Sequence, residues 1–447
     1  MKTESELKLL AEQVLSKVSN FDAEVIISSS DSSLTRFSEN VITQNVTGND
    51  NSLSLRLLRD GQMGKARTGN LDEKGMLSCI DAAIASLKVS EPNDNIESML
   101  PLQDYKIKQN YNRETHDMTP EMRAESVVKA VNECKSNNLQ AAGIHSNNGS
   151  IVAMANTKGL WATHSLSNSS FSISAMSDDS SGWAEGSDSN FSNIGYEDIT
   201  SKAIDIGLRG KNPASIEPGE YTVIFEPAAV ADFLLFLGWR ALNGLSLAEG
   251  RSCFSNRNGE QVVGNNITLT DDAFHEMTPG MPFDYEGSPR HSVALIENGV
   301  FRSAVHDRRT AKLVDAENTG HAMPQPDSGG PMPLNMILSP GDSSLEEMIS
   351  NTDKGLLVTR LHYTNILNPM TMLVTGMTRD GLFMIENGEV TKGLKNMRFT
   401  ESVLQILNNV EALSQQLHKT EIFWGGGGTI APAIKVNDFH FTSKTEN

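Results

Sequence analysis

The sequence predicts an α+β fold: large antiparallel sheets with flanking helices, in two domains. Three observations predict it. Strand-type runs punctuated by turns fill most of the chain. Segments of helical period stand singly between them. A Pro- and Gly-containing connector, KNPASIEPGE at residues 211–220, parts a mixed first half from a mainly β second half. The boundaries drawn on this pattern are 1–210 and 218–447.

In chain order, MKTESELKLLAEQVLSKV sets Leu7, Leu10, Ala11, Val14, Leu15 and Val18 at helical spacing between charges. This is an amphipathic helix and not the uninterrupted apolar run of a secretory signal. Strand-like AEVIIS, TRFSENVITQNV and SLSLRLLRDGQMGKART follow, the last folded about Asp60-Gly61 as a tight hairpin. A helix is expected over Glu73–Lys88, a Pro- and Asn-containing connector near Glu91–Asp104, and a second helix over Pro120–Asn137. LQAAGIHS, GSIVAMANT and GLWATHSLSNSSFSISAMS read as strands separated by turns at NNGS and NTKG. Ser177–Asn193, rich in Ser, Asp and Gly, reads as an exposed loop or the edge of a long strand. YEDITSKAIDIGLRG is the helix that closes this half.

Beyond the connector, EYTVIFEP is a strand and Pro227 opens a helix, PAAVADFLLFLGWRALNG, reaching Gly244. Its one carboxylate, Asp232, stands among apolar residues, so the segment either carries a site or fills a core. Two hairpins share a phrase, VALIENGVFRS and LFMIENGEVTK, turning at Asn298-Gly299 and Asn387-Gly388. SPGDSSLEEMI offers a capping box of Ser343 with Glu346. A last helix is expected over Thr400–Leu417, before the glycine run of WGGGGTIAP, a turn ahead of the closing strand.

The totals exclude several function classes. Of 447 residues, 37 are Lys or Arg and 56 are Asp or Glu, a net charge of −19. No basic cluster tracks a phosphate backbone, which argues against direct DNA or RNA contact. No segment approaches the roughly 20 apolar residues of a membrane span. The three cysteines, Cys79, Cys134 and Cys253, are far apart and form no CxxC pair. They suit buried positions in a protein of the reducing cytoplasm.

A zinc hydrolase sets two histidines one helical turn apart beside a carboxylate that activates water. His275-Glu276 does not qualify, because Pro279 and Gly280 break any helix there and no second histidine follows. No GxSxG elbow occurs, and Gly425–Gly428 lacks the Lys-Ser/Thr that completes a phosphate loop. Two polar clusters remain. One is HDRRTA, residues 306–311; the other joins RLHYTN (Arg360–Asn365) with TGMTRDG (Thr375–Gly381). Both crowd His, Arg and Asp beside strand ends, the second with Asn as well, where binding sites concentrate. A salt-bridged turn network is the alternative reading of each.

Taken in order with their neighbours, these blocks resemble the TldD/PmbA (TldD/TldE) family of cytosolic metallopeptidase proteins. The blocks are TRFSENVITQNVTGNDNSLSLRLLRDGQMGKART, DRRTAKLVDAENTGHA, PMPLNMILSPGDSSLEEMI, GLLVTRLHYTN, TGMTRDGLFMIENGEV and APAIKVNDFHF. The resemblance implies an N-terminal α/β layer with an antiparallel sheet and a C-terminal curved, barrel-like antiparallel β domain. It also implies a heterodimer of a TldD-type and a TldE (PmbA)-type subunit, with peptides held in extended form inside the dimer. In the TldD-type subunit a helix early in the C-terminal domain carries HExxxH. Its two histidines and a distant cysteine hold zinc, and its glutamate is the general base.

Here the corresponding stretch, TVIFEPAAVADFLLFLGWRALNG, contains no histidine, and the last cysteine of the chain is Cys253. The resemblance is therefore to the PmbA/TldE-type, zinc-less side. It implies an accessory subunit of a cytoplasmic TldD/TldE-type metallopeptidase complex that degrades unfolded peptides. No cofactor is expected in this chain, zinc is expected in a TldD-type partner, and no residue is assigned to bond cleavage. His362, Tyr363, Asn365, Arg379 and Asp380 are the expected substrate or interface contacts, with His321, Asn335, His306, Asp307 and Arg308 as further candidates. Two alternatives stand beside this. One is a homodimeric peptide-binding or regulatory protein without catalysis. The other is a hydrolase with a metal site assembled from dispersed His, Asp and Glu. The family's older label, modulator of DNA gyrase, gains no support from so acidic a chain.

Overall fold

The computed structural model describes residues 1–421 and 427–445. The first half runs α1 (Glu4–Lys17), β1 (Asp22–Ser38), β2 (Val41–Arg59), β3 (Gln62–Thr68), α2 (Glu73–Val89), α3 (Arg113–His116), α4 (Pro120–Ser136), β4 (Gln140–Asn156), β5 (Trp161–Met176), β6 (Ser181–Asp188) and α5 (Tyr196–Arg209). Its six strands form one antiparallel sheet in the order β3-β2-β1-β4-β5-β6. Because side chains alternate along a strand, Val25, Ile27 and Phe37 of β1 all point to one face. The four longer helices cover that face. Leu7, Leu10 and Val14 of α1 and Met76, Ile80 and Ala83 of α2 pack there with Leu53, Leu55 and Ile151. Val127 and Val131 of α4 and Ala203 of α5 pack there with Phe37, Phe171 and Ile173. Thr3 and Glu6 close α1 with a reciprocal capping box, and Thr119 followed by Pro120 opens α4.

Two sequence expectations change here. AEVIIS and TRFSENVITQNV are parts of two long strands that turn at Glu39-Asn40, both with positive φ. NNGS is not a turn: Asn147–Ser150 lie inside β4, paired to β1 and β5 without interruption. The turn-forming capacity of Asn147 is spent elsewhere. Its side chain accepts from Arg123 Nη1 at 2.7 Å and donates to the carbonyls of Thr115 and His116 at 2.9 Å each. NTKG does turn, between β4 and β5, and Ser181–Asp188 form the sheet's edge strand within the polar run.

The second half runs β7 (Gly219–Phe225), α6 (Pro227–Arg240), α7 (Gly244–Ala248), β8 (Leu269–Asp271), β9 (Val293–Glu297), β10 (Val300–Phe301), α8 (Arg308–Leu313), β11 (Met336–Leu338), α9 (Leu345–Ser350), β12 (Lys354–Asn368), β13 (Leu373–Glu386), β14 (Glu389–Gly393), β15 (Met397–Ser402), α10 (Val403–Asn408), β16 (Val410–Leu413), β17 (His418–Glu421), β18 (Gly428–Ala431) and β19 (Ile434–Lys444). Hydrogen-bonded neighbours lead from β12 through β7, β19, β15 and β13 and return to β12, with β14 beside β13 and β16 beside β19. A second sheet has the order β10-β9-β8-β11-β18-β17. The α6 helix fills the core, with Val230, Phe233, Leu234 and Leu237 fully buried. Phe233 meets Phe225 and Phe399 edge-on at 5.3 and 5.9 Å. Each such side chain contributes roughly 1.5–3 kcal/mol by leaving water.

The hairpin turns at Asp60-Gly61, Asn298-Gly299 and Asn387-Gly388 all have two residues of positive φ, as Asn-Gly and Asp-Gly pairs favour. Other expectations shift. The capping box is Ser344 with Glu347, one residue beyond Ser343 and Glu346, because the backbone of Ser343 pairs with Ser414 and Gln415. The helix expected over Thr400–Leu417 is only Val403–Asn408. Thr400 to Ser402 ladder with β13, and Val410 to Leu413 with β19. The helical spacing of Val403, Ile406, Leu407 and Val410 is real, but strand pairing takes both ends. Likewise α6 stops at Arg240, short of Gly244. Of the glycine run, Gly425 and Gly426 lie outside the described residues and Gly428 opens β18. All three cysteines are free and buried. Among the described residues no helix is long and apolar enough to cross a membrane.

Candidate functional site

A cavity of about 600 Å³ lies where edge strand β6 meets the second half, lined by Trp183, Glu185, Lys202, Glu226, Thr359 and His418 among others. Alternation along β6 puts Ser181, Trp183 and Glu185 on the sheet face opposite its helices. Glu226 follows β7 as the N-cap of α6, just before Pro227, and its carboxylate takes Lys202 Nζ of α5 at 2.5 Å. His418 enters from β17.

At one end of the cavity the β12–β13 hairpin supplies a charged cluster. The Arg360 guanidinium lies over the Trp183 ring, 4.2 Å from its centroid. Arg360 Nη1 is 3.3 Å from Asp380 Oδ2, and Arg379 Nε is 3.7 Å from the same oxygen. Ser181 Oγ donates to Asp380 Oδ1 at 2.5 Å. The backbone there is irregular: Asp380 has φ 53° and Gly381 φ 135°. Thr359 Oγ1 is within 2.9 Å of the Asp380 carbonyl and 3.1 Å of the Gly381 carbonyl, pinning the distortion. Asp232 of α6 accepts from Thr364 Oγ1 at 2.8 Å.

Burial decides the ionisation of this cluster. It lifts Glu185 to about 7, helped by Glu421 and opposed by Arg360 and Lys419. It lifts Asp232 to about 6 against the Thr364 hydrogen bond and Arg360. It lowers His418 to about 4, with Lys202 and Lys419 adding to the effect, so this imidazole is neutral near pH 7. The cavity can therefore accept hydrogen bonds from a polypeptide, hold a proton on Glu185, and stack flat groups beside Trp183.

The expected site residues divide. His362, Arg379 and Asp380 share this cluster, and Arg379 and Arg360 add to burial in lowering the His362 pKa. Tyr363 projects outward, 75% exposed and at φ 52°, its ring 4.2 Å from that of His362. Asn365 is exposed and turns back on its own chain, accepting from the Ile366 amide at 2.8 Å.

His306, Asp307, Arg308, His321 and Asn335 form a separate group. No hydrogen bond or ion pair joins it to the first among the described residues. His321 is fully buried, with Nε2 2.9 Å from Asp271 Oδ1, and Asp271 Oδ2 accepts from the Asn335 amide at 2.8 Å. Asp307 caps α8, and Arg308 reaches Glu97 at 3.3 Å and the Ser98 carbonyl at 2.6 Å. His306 is buried with Nδ1 unpartnered. These residues hold a packed network and a contact with Glu97 and Ser98; His306, Asp307, His321 and Asn335 are buried, and Asp307 also lines a small cavity with Glu97, Glu286 and Arg309.

Trp183, Glu185, Lys202, Glu226 and His418 were not singled out by the sequence. The alternation in SGWAEG carries a signal for the first two, masked by the polar run around it. Zinc does not fit the donors present. The α6 helix offers only Asp232, already bonded to Thr364, and among the described residues no three of His, Cys, Asp and Glu stand close enough to share a metal ion.

Comparison with known proteins follows the same lines. The model of the PmbA/TldA metallopeptidase C-terminal domain matches residues 218–443, and that of PmbA/TldA metallopeptidase domain 1 matches residues 23–87. A metalloprotease of Methanocaldococcus jannaschii is 27% identical over 251 residues, 54% of this chain and 54% of that protein. The match thus spans about half the length of that relative. A metalloprotease PmbA homolog of Haemophilus influenzae is 23% identical over 403 residues, 84% of each chain. The crystal structure of TldE from Thermococcus kodakarensis superposes with a TM-score of 0.88 over 98% of this chain and 99% of that one, at 22% identity, and so shares its fold.

Proposed function

The chain belongs to the PmbA/TldD metallopeptidase family, and on that footing we propose that it is a PmbA/TldE-like accessory subunit of a cytoplasmic metallopeptidase complex. One observation carries the reading. The helix at the place implied for the zinc motif, α6, is packed into the core, and its only carboxylate is bonded to Thr364. With no imidazole or thiolate there, α6 has nothing to hold a zinc-activated hydroxide; in this reading a TldD-type partner supplies it. This chain's part is to bind and align an extended, unfolded peptide. The cavity beside Trp183, Glu185 and His418 is our candidate for the contact, and His362, Tyr363, Asn365, Arg379 and Asp380 of the adjoining β12–β13 hairpin are our candidates for further substrate or interface contacts. In the same reading, residues 1–210 are the α/β layer and 218–447 the curved, barrel-like β domain, consistent with the return of strand neighbours to β12.

The test is reconstitution. The purified chain is assayed for zinc and for cleavage of an unfolded protein, alone and with a TldD-type subunit of the same organism. Expected are no zinc and no cleavage alone, and a rise in the partner's peptidase activity on mixing. About one zinc per chain with chelator-sensitive cleavage, or a partner indifferent to this chain, overturns the reading.

A further inference from the structure

A cavity of about 90 Å³ lies between the two halves, with Asn93 and Glu97 on one side and Glu286, Asp307, Arg309 and Asp327 on the other. Asn93, Asn95 and Pro326 on its wall are exposed, so the cavity opens to the surface there. Several charged groups around it are already paired. Arg56 donates to Glu24 through two hydrogen bonds of 3.0 and 3.1 Å. Glu97 takes both Arg308 and Lys312, and Asp307 accepts from the Thr310 amide at 2.7 Å.

Three groups are left over. Glu286 is 4% exposed, its Oε2 is enclosed, and neither carboxyl oxygen has a hydrogen bond or ion pair among the described residues. Arg309 Nε is enclosed without a partner, and its guanidinium makes no ion pair among the described residues. Asp327 Oδ1 accepts from the Gly329 amide at 3.2 Å, but Oδ2 is enclosed and unpartnered. Buried polar groups are nearly always satisfied, and these three stand on the wall of one cavity. Their backbones are fixed. Asp284 accepts from the amides of Glu286 and Ser288 at 2.9 Å each, which sets the turn bearing Glu286. The capping box of Asp307 and Thr310 sets the start of α8, which bears Arg309. Burial raises the Glu286 carboxyl to about 8, with Asp284 and Asp307 adding to the effect. A cation beside it would offset that penalty.

We infer that this cavity binds a small α-amino acid as its zwitterion, with the carboxylate on Arg309 and the ammonium on Glu286 and Asp327. The leftover groups call for one occupant carrying both signs of charge. A planar guanidinium pairs with a carboxylate through two parallel hydrogen bonds, and an ammonium donates to as many as three acceptors. A lone anion would leave the two carboxyls without partners, and a lone cation would leave Arg309 so. The volume equals the share of about three water molecules, which limits an organic occupant to a few heavy atoms, as in glycine or alanine. The cavity is separate from the one beside Trp183, and its occupancy does not depend on the peptidase reading.

Isothermal titration calorimetry of the full-length protein tests this with glycine as the probe, against acetate and methylammonium as its two halves. Glycine is expected to bind at one molecule per chain with a Kd below about 1 mM, and each half at least tenfold more weakly. Glu286→Gln and Arg309→Gln should each weaken glycine binding at least tenfold, with circular dichroism confirming that the fold is kept. The comparison of glycine with its halves uses the wild type alone, so it decides the matter even where a variant fails to fold. No saturable heat with glycine up to about 10 mM, acetate or methylammonium binding as tightly as glycine, or a folded variant that binds glycine like the wild type overturns the inference.

Discussion

Arg360 lies on the ring of Trp183 at 4.2 Å, so a strand of the second half rests directly on the edge strand of the first. The contact is reinforced by Asp380, which takes Arg360 on one oxygen and Ser181 on the other. Stacking and a hydrogen-bonded ion pair act on the same guanidinium, and removing it also leaves Asp380 with less compensation.

Arg360→Met is accordingly expected to lower stability by about 2 kcal/mol, most of it from the deserted Asp380 carboxylate. Urea unfolding measures it. Adding Asp380→Asn should return a substantial part of the loss, because the second change removes the uncompensated charge.

The Gly381→Ala variant meets two obstacles. The glycine has φ 135°, and an added Cβ would stand 2.6 Å from Thr359 Oγ1. A loss of about 1–3 kcal/mol is expected, read as a lowered thermal midpoint. Thr359→Ser, which keeps the hydroxyl and removes the second close atom, should soften the effect.

Glu185 gives a pH signature. Its folded pKa, about 7, lies above the ordinary 4.5, so the folded state holds a proton that the unfolded state releases. Its protonation supports the fold fully below pH 4.5, and that support is lost as pH rises through about 7. Glu185→Gln should remove the decline, gaining on the wild type across that window by on the order of 2 kcal/mol. Denaturation at a series of pH values checks this; parallel curves for the two proteins would refute the assignment.

Asn147→Ala should cost about 2–3 kcal/mol, because it strips a partner from the fully buried Arg123 and leaves two carbonyls short of a donor. Asn148→Ala, one residue along the same strand, serves as the control, with an expected change within about 0.5 kcal/mol. Chemical denaturation of the pair separates a side-chain role from turn formation.

Periodicity and turn chemistry made much of this protein legible in its sequence. The spacing of Leu7, Leu10, Ala11 and Val14 determined α1, and three Asn-Gly or Asp-Gly pairs determined their hairpins, because these signals act within a few residues. The absence of histidine from α6 was also legible, and with it the argument against zinc there. Tertiary structure decided the rest. Asn147 could have made a turn, but Arg123 and the α3 carbonyls claimed its side chain, and the strand ran through. Thr400–Leu417 had a helical pattern, but β13 and β19 offered hydrogen-bonding edges to both its ends. The candidate site could not be read locally at all: Ser181 and Asp380, 199 positions apart, become partners only when the edge of one sheet is laid against the hairpin of another. Local sequence sets the conformations a segment can take; long-range pairing and burial choose among them and bring the charged groups together.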